Sequence, residues 1–538
     1  MEQPYERERL PPGTVLLVEG ESVVKIPQPT DDPNDPLNWS IPRKLVNASF
    51  VLAVTVAVFA AMTMQTVFWQ QMTTDLNVTF SQLNAGLSFN VAGLAVGSLL
   101  FIPLTKKYGR RLTYVISTGV LAGVSWWSAR MSTLSEMYLT NLLFGLAGST
   151  NEAISEMTIA DLFFVNQRGT ANGFYIIAVM LGNFICPTIA GIQAATFGWR
   201  WAYYTVGIAL TALFILFLFF YEETKYVPAT TGCAAMSGLA DPGSETPGTP
   251  DFASHSPSDD KRQEQVCSLT TSPTYTATSR PPPPPNSYRQ RMRFVTPSSE
   301  SLWRNYLTPF KMAVFPHVLF AAVQCANVIT FLVYLASVNS IVFSGPPYNF
   351  STAGVGLMFV GPFIGNMIGS VYGGLLGDMV VVRLARKNNG VFEPEMRLYI
   401  LILPAILVGA GLMVFGVAAH RGLHWIYPSI GAAMFSFGMG SIMDVACTVV
   451  IDTYQSATAE AFVFIIFIRN AACIGIPFGI VPWMKSAGLT KMFVAGGCVA
   501  IALSLLFIPL IVWGRRARVA FGPFYEKLVV ENGGFGRA

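Results

Sequence analysis

The sequence predicts an all-α membrane protein with twelve transmembrane helices in two six-helix, pseudo-symmetric halves. Three observations predict it. The chain is 52% apolar and only 12% charged over 538 residues, roughly half the charged share of a soluble domain, and too few charges to cover a soluble surface of this size. Runs of about 20 apolar residues, the length a helix needs to cross roughly 30 Å of hydrocarbon, recur six times, stop for about ninety polar residues, and recur six times more. Finally, the charged loops match between the halves, with YGRR (Tyr108 to Arg111) after the second run and GDMVVVRLARK (Gly377 to Lys387) after the eighth.

Residues 1–43 are polar and proline-rich, and their Asp-Pro steps in DDPNDPLNWS (Asp31 to Ser40) favour turns. They read as an N-terminal tail, and no cleavable signal peptide is expected because the first apolar run is long enough to span. The N-terminal half covers 44–221, with runs near 45–69, 83–105, 112–130, 137–161, 169–195 and 200–221. Residues 222–313 are rich in Ser, Thr and Pro and lack the apolar residues to offset ordering, which reads as a disordered linker. Its segment TSPTYTATSRPPPPP (Thr271 to Pro285) is a stiff spacer or a ligand for a proline-binding domain. The run Arg289 to Arg293 is a topology signal or a lipid-headgroup contact. The C-terminal half covers 314–514, with runs near 314–343, 353–378, 397–419, 424–451, 459–483 and 490–513, and a tail follows from 515 to 538.

Lys and Arg set the orientation. Lys106, Lys107, Arg110, Arg111, Arg383, Arg386, Lys387, Arg397, Arg515, Arg516 and Arg518 all fall on one side, against a sparse set opposite. The positive-inside rule puts both tails and the linker in the cytoplasm. The N-glycosylation sequons at Asn77 and Asn349 then face outside.

PLTKKYGRR (Pro103 to Arg111), its second-half copy, and Gly182-Asn-Phe-Ile-Cys186-Pro187-Thr-Ile-Ala190-Gly191 resemble signature motifs of the major facilitator superfamily. So do ADLFFVNQRGTANG (Ala160 to Gly173), GWRWAYY (Gly198 to Tyr204), EETKY (Glu222 to Tyr226) and NNGVFEPEMRL (Asn388 to Leu398). The set is similar to the fungal drug:proton antiporter-type branch, near polyamine and cation carriers and secondary-metabolite exporters. The resemblance implies the major facilitator fold, with substrate between the halves at the membrane midplane. It implies an antiporter-type helix five bent at Pro187, and a gate formed by Arg110, Arg111, Asp161, Asp378, Arg383 and Asp452. Plain anchoring by the positive-inside rule is the alternative for Arg110 and Arg111. Two departures, Ile102 where glycine is common and Lys106 where an acid is common, break any charge relay through that loop. Asn141 stands where many antiporters have arginine, so Glu152 or Asp444 has to carry protons.

Intramembrane acids need a reason, since each costs at least a few kcal/mol in hydrocarbon. Helix four carries Glu152, Glu156 and Asp161, and helix ten carries Asp444 and Asp452. Ala160-Asp161 and Ile451-Asp452 close their helices at the basic side, so Asp161 and Asp452 are expected at the gate. Glu152 and Asp444 are expected to share one cavity from opposite halves, with Glu156 bonded to neighbouring helices. Desolvation favours a protonated carboxyl, which suits an acid whose exposure alternates. Arg469 is read as counter-ion to Asp444 or as a ligand for an anionic group. Asn151, Gln65, Asn183, Asn327 and Asn470 complete the candidate proton and substrate set, with Trp69, Phe68, Tyr334, Tyr372 and Phe363 as stacking or packing residues.

The expectation is a monomeric, multi-pass plasma-membrane protein that moves a small organic molecule by alternating access coupled to the proton gradient. Export of a metabolite or drug-like compound comes first. Uptake of polyamines or other organic cations is the alternative, and a transporter-like sensor a third reading. The seven cysteines form no CxxC pair, and no phosphate-binding loop or metal cluster stands out, so no enzyme activity, cofactor, metal or nucleic-acid partner is expected.

Overall fold

The computed structural model describes residues 11–16, 32–225, 286–296, 302–388 and 390–531. Those residues are almost wholly helical. Six long helices form the first half: α1 (Ile41–Asp75), α2 (Phe80–Tyr108), α3 (Arg110–Ser128), α4 (Leu134–Leu162), α5 (165–197) and α6 (Trp199–Phe220). The second half repeats the plan with α7 (Pro316–Ser344), α8 (Thr352–Lys387), α9 (Pro394–His420), α10 (Ile426–Thr453), α11 (Gln455–Ala487) and α12 (Leu489–Val530). Ten of the twelve are long and apolar enough to cross a membrane; α3 and α4, which carry the basic loop and the acids, complete the set.

Local chemistry explains the helix ends. Thr79 and Gln82 form a capping box at the start of α2, as Thr133 and Glu136 do for α4. In α5, a π turn over Leu181–Ile185 precedes Pro187, where the widened turn accommodates a residue without a backbone donor. Within each half the central helices touch through glycine. A Cβ on Gly145 of α4 would lie 1.8 Å from the Asn90 carbonyl oxygen of α2, and one on Gly365 of α8 would lie 2.1 Å from the Ala433 carbonyl oxygen of α10. This is small-residue packing of the membrane kind, repeated at matching places in the two halves.

The segments beyond the helices are more ordered than the sequence predicts. Part of the expected linker packs on the first half: Thr296 N–H donates to the Tyr108 carbonyl at 2.7 Å, and Tyr288 OH donates to the Phe219 carbonyl at 2.8 Å. A short helix, Leu302–Lys311, follows. The expected C-terminal tail continues helical through Glu531. Near the N-terminus, Val15 and Leu16 pair antiparallel with Phe392 and Val391 in the α8–α9 loop. Arg518 Nη1 donates to Pro12 O at 2.9 Å and to Thr14 Oγ1 at 2.8 Å, so this strand belongs to the second half. Residues 36–38, by contrast, form a 3₁₀ turn on the first half, where Lys44 Nζ donates to Leu37 O at 3.0 Å. The polyproline segment, Thr271 to Pro285, lies outside the described residues.

Candidate functional site

One cavity of about 1730 Å³ lies between the halves. Its wall runs from the midplane (Glu152, Asn183, Asp444, Arg469) to the end carrying the basic loops (Lys106, Arg110, Asp161, Arg397, Asp452). The opposite end is shut by contacts between halves. Gln71 Nε2 donates to Thr352 Oγ1 at 3.1 Å, and Thr188 Oγ1 donates to the Gly356 carbonyl at 2.8 Å. Among the described residues, the cavity therefore opens toward the basic loops.

The midplane holds an ion pair that bridges the halves. Glu152 of α4 is 7% exposed, and its Oε2 accepts from Arg469 Nη2 of α11 at 2.5 Å and from Asn470 Nδ2 at 3.2 Å. Arg469 Nε reaches Asn470 Oδ1 at 3.1 Å, which fixes the guanidinium plane. Arg469, read from sequence as counter-ion to Asp444, thus neutralises Glu152 instead. Glu156, expected to bond to neighbouring helices, lines the cavity one turn below Glu152 with no ion-pair partner among the described residues. Asp444 lines the opposite wall with Ser370 as a side-chain hydrogen-bond partner and likewise no ion-pair partner among the described residues. Two acids do face one cavity from α4 and α10, with Glu156 rather than Glu152 as the uncompensated one.

Not every amide reaches the cavity. Asn183 and Asn470 line it. Asn151 faces α1, donating to Thr55 Oγ1 at 3.0 Å and accepting from Ser155 Oγ at 3.1 Å. Asn327 faces α12, donating to Ala500 O at 3.1 Å. Gln65 is buried in the 3₁₀ turn of α1, away from the lining. The five aromatic candidates pack: Phe68 stacks on Trp199, and Tyr334 sits against Phe493. The rings that do line the cavity are Phe59, Tyr175, Phe184, Phe359 and Phe462, spaced too ordinarily in the sequence to be singled out.

At the basic end each half has its own ion pair. Arg110 Nε meets Asp161 Oδ2 at 2.9 Å, and Arg397 Nε meets Asp452 Oδ2 at 2.6 Å while its Nη1 meets Asp378 Oδ1 at 2.6 Å. The base serving Asp452 is thus Arg397 from the start of α9, whereas Arg383 stays exposed. Arg111 is no gate residue in this arrangement. It is 1% exposed and donates to the carbonyls of Leu218, in the last turn of α6, at 2.7 Å and of Tyr221, the residue just after α6, at 2.9 Å. The reason Gly109 precedes it is steric. With φ +114, a Cβ there would lie 2.2 Å from Glu223 Oε2, the carboxylate that receives the Arg110 and Arg111 backbone N–H groups at 2.9 and 3.2 Å. This is anion binding at a helix N-terminus.

Lys106 and Ile102 acquire roles that the sequence motif alone conceals. Lys106 pairs with Glu460 of α11 across the halves. Beneath that pair, Ile102 and Met157 of the first half pack on Val463 and Ile466 of the second. The sequons Asn77 and Asn349 are exposed in loops at the shut end, both with positive φ (54° and 45°).

A family model described as the Major Facilitator Superfamily matches residues 51–479. An MFS-type transporter of Schizosaccharomyces pombe is 28% identical over 94% of this chain and 89% of its own length. The efflux pump radE of Floropilus chiversii is 25% identical over 91% of this chain and 83% of its own. Among solved structures, the crystal structure of the peptide transporter POT superposes with a TM-score of 0.57 at 12% identity, covering 88% of this chain and 94% of that one.

Proposed function

The chain belongs to the Major Facilitator Superfamily, and from that premise we propose that it is a proton-coupled exporter of a small organic molecule, a secondary metabolite or drug-like compound, in the plasma membrane. The observation that carries this reading is the Glu152–Arg469 pair, which ties α4 to α11 across a cavity shut at one end. The basic loops face the cytoplasm in this proposal, so the cavity takes its cargo from inside. Cargo entering from inside separates Arg469 from Glu152, and the halves are released to open the far end, where the Gln71–Thr352 and Thr188–Gly356 contacts part. Glu152 then takes up a proton from outside as cargo leaves, the chain returns inward carrying it, and its loss to the cytoplasm restores the pair, so that protons enter as cargo is exported. Relatives named efflux pumps, radE among them, support export over uptake. The sequons then lie outside, where glycosylation of Asn77 and Asn349 is part of the proposal.

The test is transport by the purified chain in proteoliposomes with an imposed pH gradient, using extracts of the host's own metabolites as cargo. Gradient-driven accumulation that collapses on adding a protonophore supports the proposal. The Glu152→Gln variant is expected to lose accumulation against a gradient while retaining exchange of cargo for cargo. Transport indifferent to both the protonophore and Glu152→Gln refutes proton coupling through this residue.

A further inference from the structure

The cavity wall carries thiols that neither the fold nor the Glu152–Arg469 pair uses. On α7, Cys325 shares the cavity face with Ile329 and Leu332, and on α10, Cys447 shares it with Asp444 and Ile451, the three- and four-residue steps that put side chains on one side of a helix. The two faces meet at these thiols, which are hydrogen-bond partners of one another. The other described cysteines are engaged or placed differently. Cys473 lines the cavity but its Sγ lies 3.1 Å from Thr330 Oγ1, in a hydrogen bond of its own. Cys186 is outside the lining, and Cys498 is exposed. The contact also joins helices with different side-chain anchors. Gln324 Nε2 of α7 donates to the Leu503 carbonyl of α12 at 2.8 Å, whereas Ser441 Oγ of α10 donates to the Gly369 carbonyl of α8 at 2.8 Å.

We propose that Cys325 and Cys447 are a redox-responsive pair, closed to a disulfide by a peroxide that enters the cavity and reopened by a dithiol. Cys447 is half-buried with its side chain on the cavity, while Cys325 is 1% exposed, so hydrogen peroxide, little larger than water, meets Cys447 first. Its sulfur attacks the peroxide, the O–O bond breaks, and a sulfenic acid and one water result. Cys325, already in contact, attacks that sulfur; the S–O bond breaks, the S–S bond forms, and a second water leaves. Two thiols and one peroxide thus give one disulfide and two waters, with sulfur oxidised and peroxide oxygen reduced. Thiols in hydrogen-bond contact need only a small approach to bond, and an exposed thiol beside a resolving one is the arrangement of a redox sensor. The new bond fastens α7 to α10 at the cavity wall. The inference goes beyond the exporter reading and depends on neither its cargo nor its proton coupling.

The experiment uses the full chain in phosphatidylcholine nanodiscs, reduced, freed of reductant and exposed to hydrogen peroxide. Free thiols are then alkylated and the digest is read by mass spectrometry. A peptide cross-linked between Cys325 and Cys447 is expected in most chains, with loss of both thiols from alkylation, return of both on adding dithiothreitol, and Cys473 still alkylated. Cys325→Ser is expected to stop at a Cys447 sulfenic acid that dimedone captures, which also shows that the variant is folded and its cavity open. Cys447→Ser is expected to leave Cys325 reduced. Hydrogen exchange along α7 and α10 is expected to slow in the oxidised chain and in neither variant. Absence of the cross-link, cross-links only among other cysteines, or exchange unchanged by oxidation overturns the proposal.

Discussion

Removing the charge of Glu152 while keeping its shape, as Glu152→Gln does, is the most informative single perturbation. The two side chains of the bridging pair are 8% and 12% exposed, and two donors converge on one carboxylate oxygen, at 2.5 and 3.2 Å. Removing one partner of a buried pair costs about 3–5 kcal/mol because a charge is left uncompensated. Arg469 keeps its bond to Asn470 Oδ1 and one wall open to the cavity, which places the cost at the low end, about 3 kcal/mol. At about 1.4 kcal/mol per factor of ten, that is roughly a 150-fold shift in the balance between states. The pair joins the halves, so the shift favours the arrangement open at the opposite end. Spin labels at exposed Thr74 and His424, one on each half at the shut end, report the opening as a longer distance population. A double-mutant cycle with Arg469→Gln, read by thermal unfolding, is expected to show coupling of about 2 kcal/mol. Unchanged distances together with additive single effects would refute the reasoning.

Four further outcomes follow from geometry. Gly109→Ala places a side chain at φ +114 and into Glu223, and is expected to destabilise by about 1–3 kcal/mol in thermal unfolding. Reversal of the inter-half pair as Lys106→Glu with Glu460→Lys is expected to restore transport that either single change impairs; failure of the double variant to recover argues against the contact. Arg518→Met leaves Glu395 buried without its bidentate partner, and is expected to expose residues 11–16 to hydrogen exchange and to cost about 3–5 kcal/mol. Asn77→Gln and Asn349→Gln, made singly and together, are expected to remove one and two glycan steps from the electrophoretic mobility of the protein expressed in a fungal host.

Much of the architecture was legible in the sequence because span length and loop charge are one-dimensional signals. The two halves, the acids on α4 and α10, and the matched ends at Asp161 and Asp452 all follow from them. Partner choice was not legible. Glu152 and Glu156 lie four apart on one helix face, and which of them is neutralised depends on Arg469, 317 positions away. The same holds for the basic loop after α8, where Arg397 pairs with Asp452 while Arg383 stays exposed, a choice that loop charge alone does not make. Ile102 and Lys106, departures from the motif when read along the chain, make sense only beside Glu460, Val463 and Ile466 of the other half. The order of residues 286–296 was hidden because its bonds are made to the backbone of α2 and α6, which composition does not reveal.

The strand near the N-terminus has a consequence for biogenesis. Pro12 and Arg518 are 506 positions apart, so the seat of this strand is absent until the last helix has been synthesised. At about 5–20 residues per second the delay is roughly 25–100 s. Through that interval the segment lacks its Arg518 contacts, which can form only once α12 has been made. A chain stalled before α12 leaves the segment unheld. Its bonds to Arg518 therefore serve as a mark that the second half is complete.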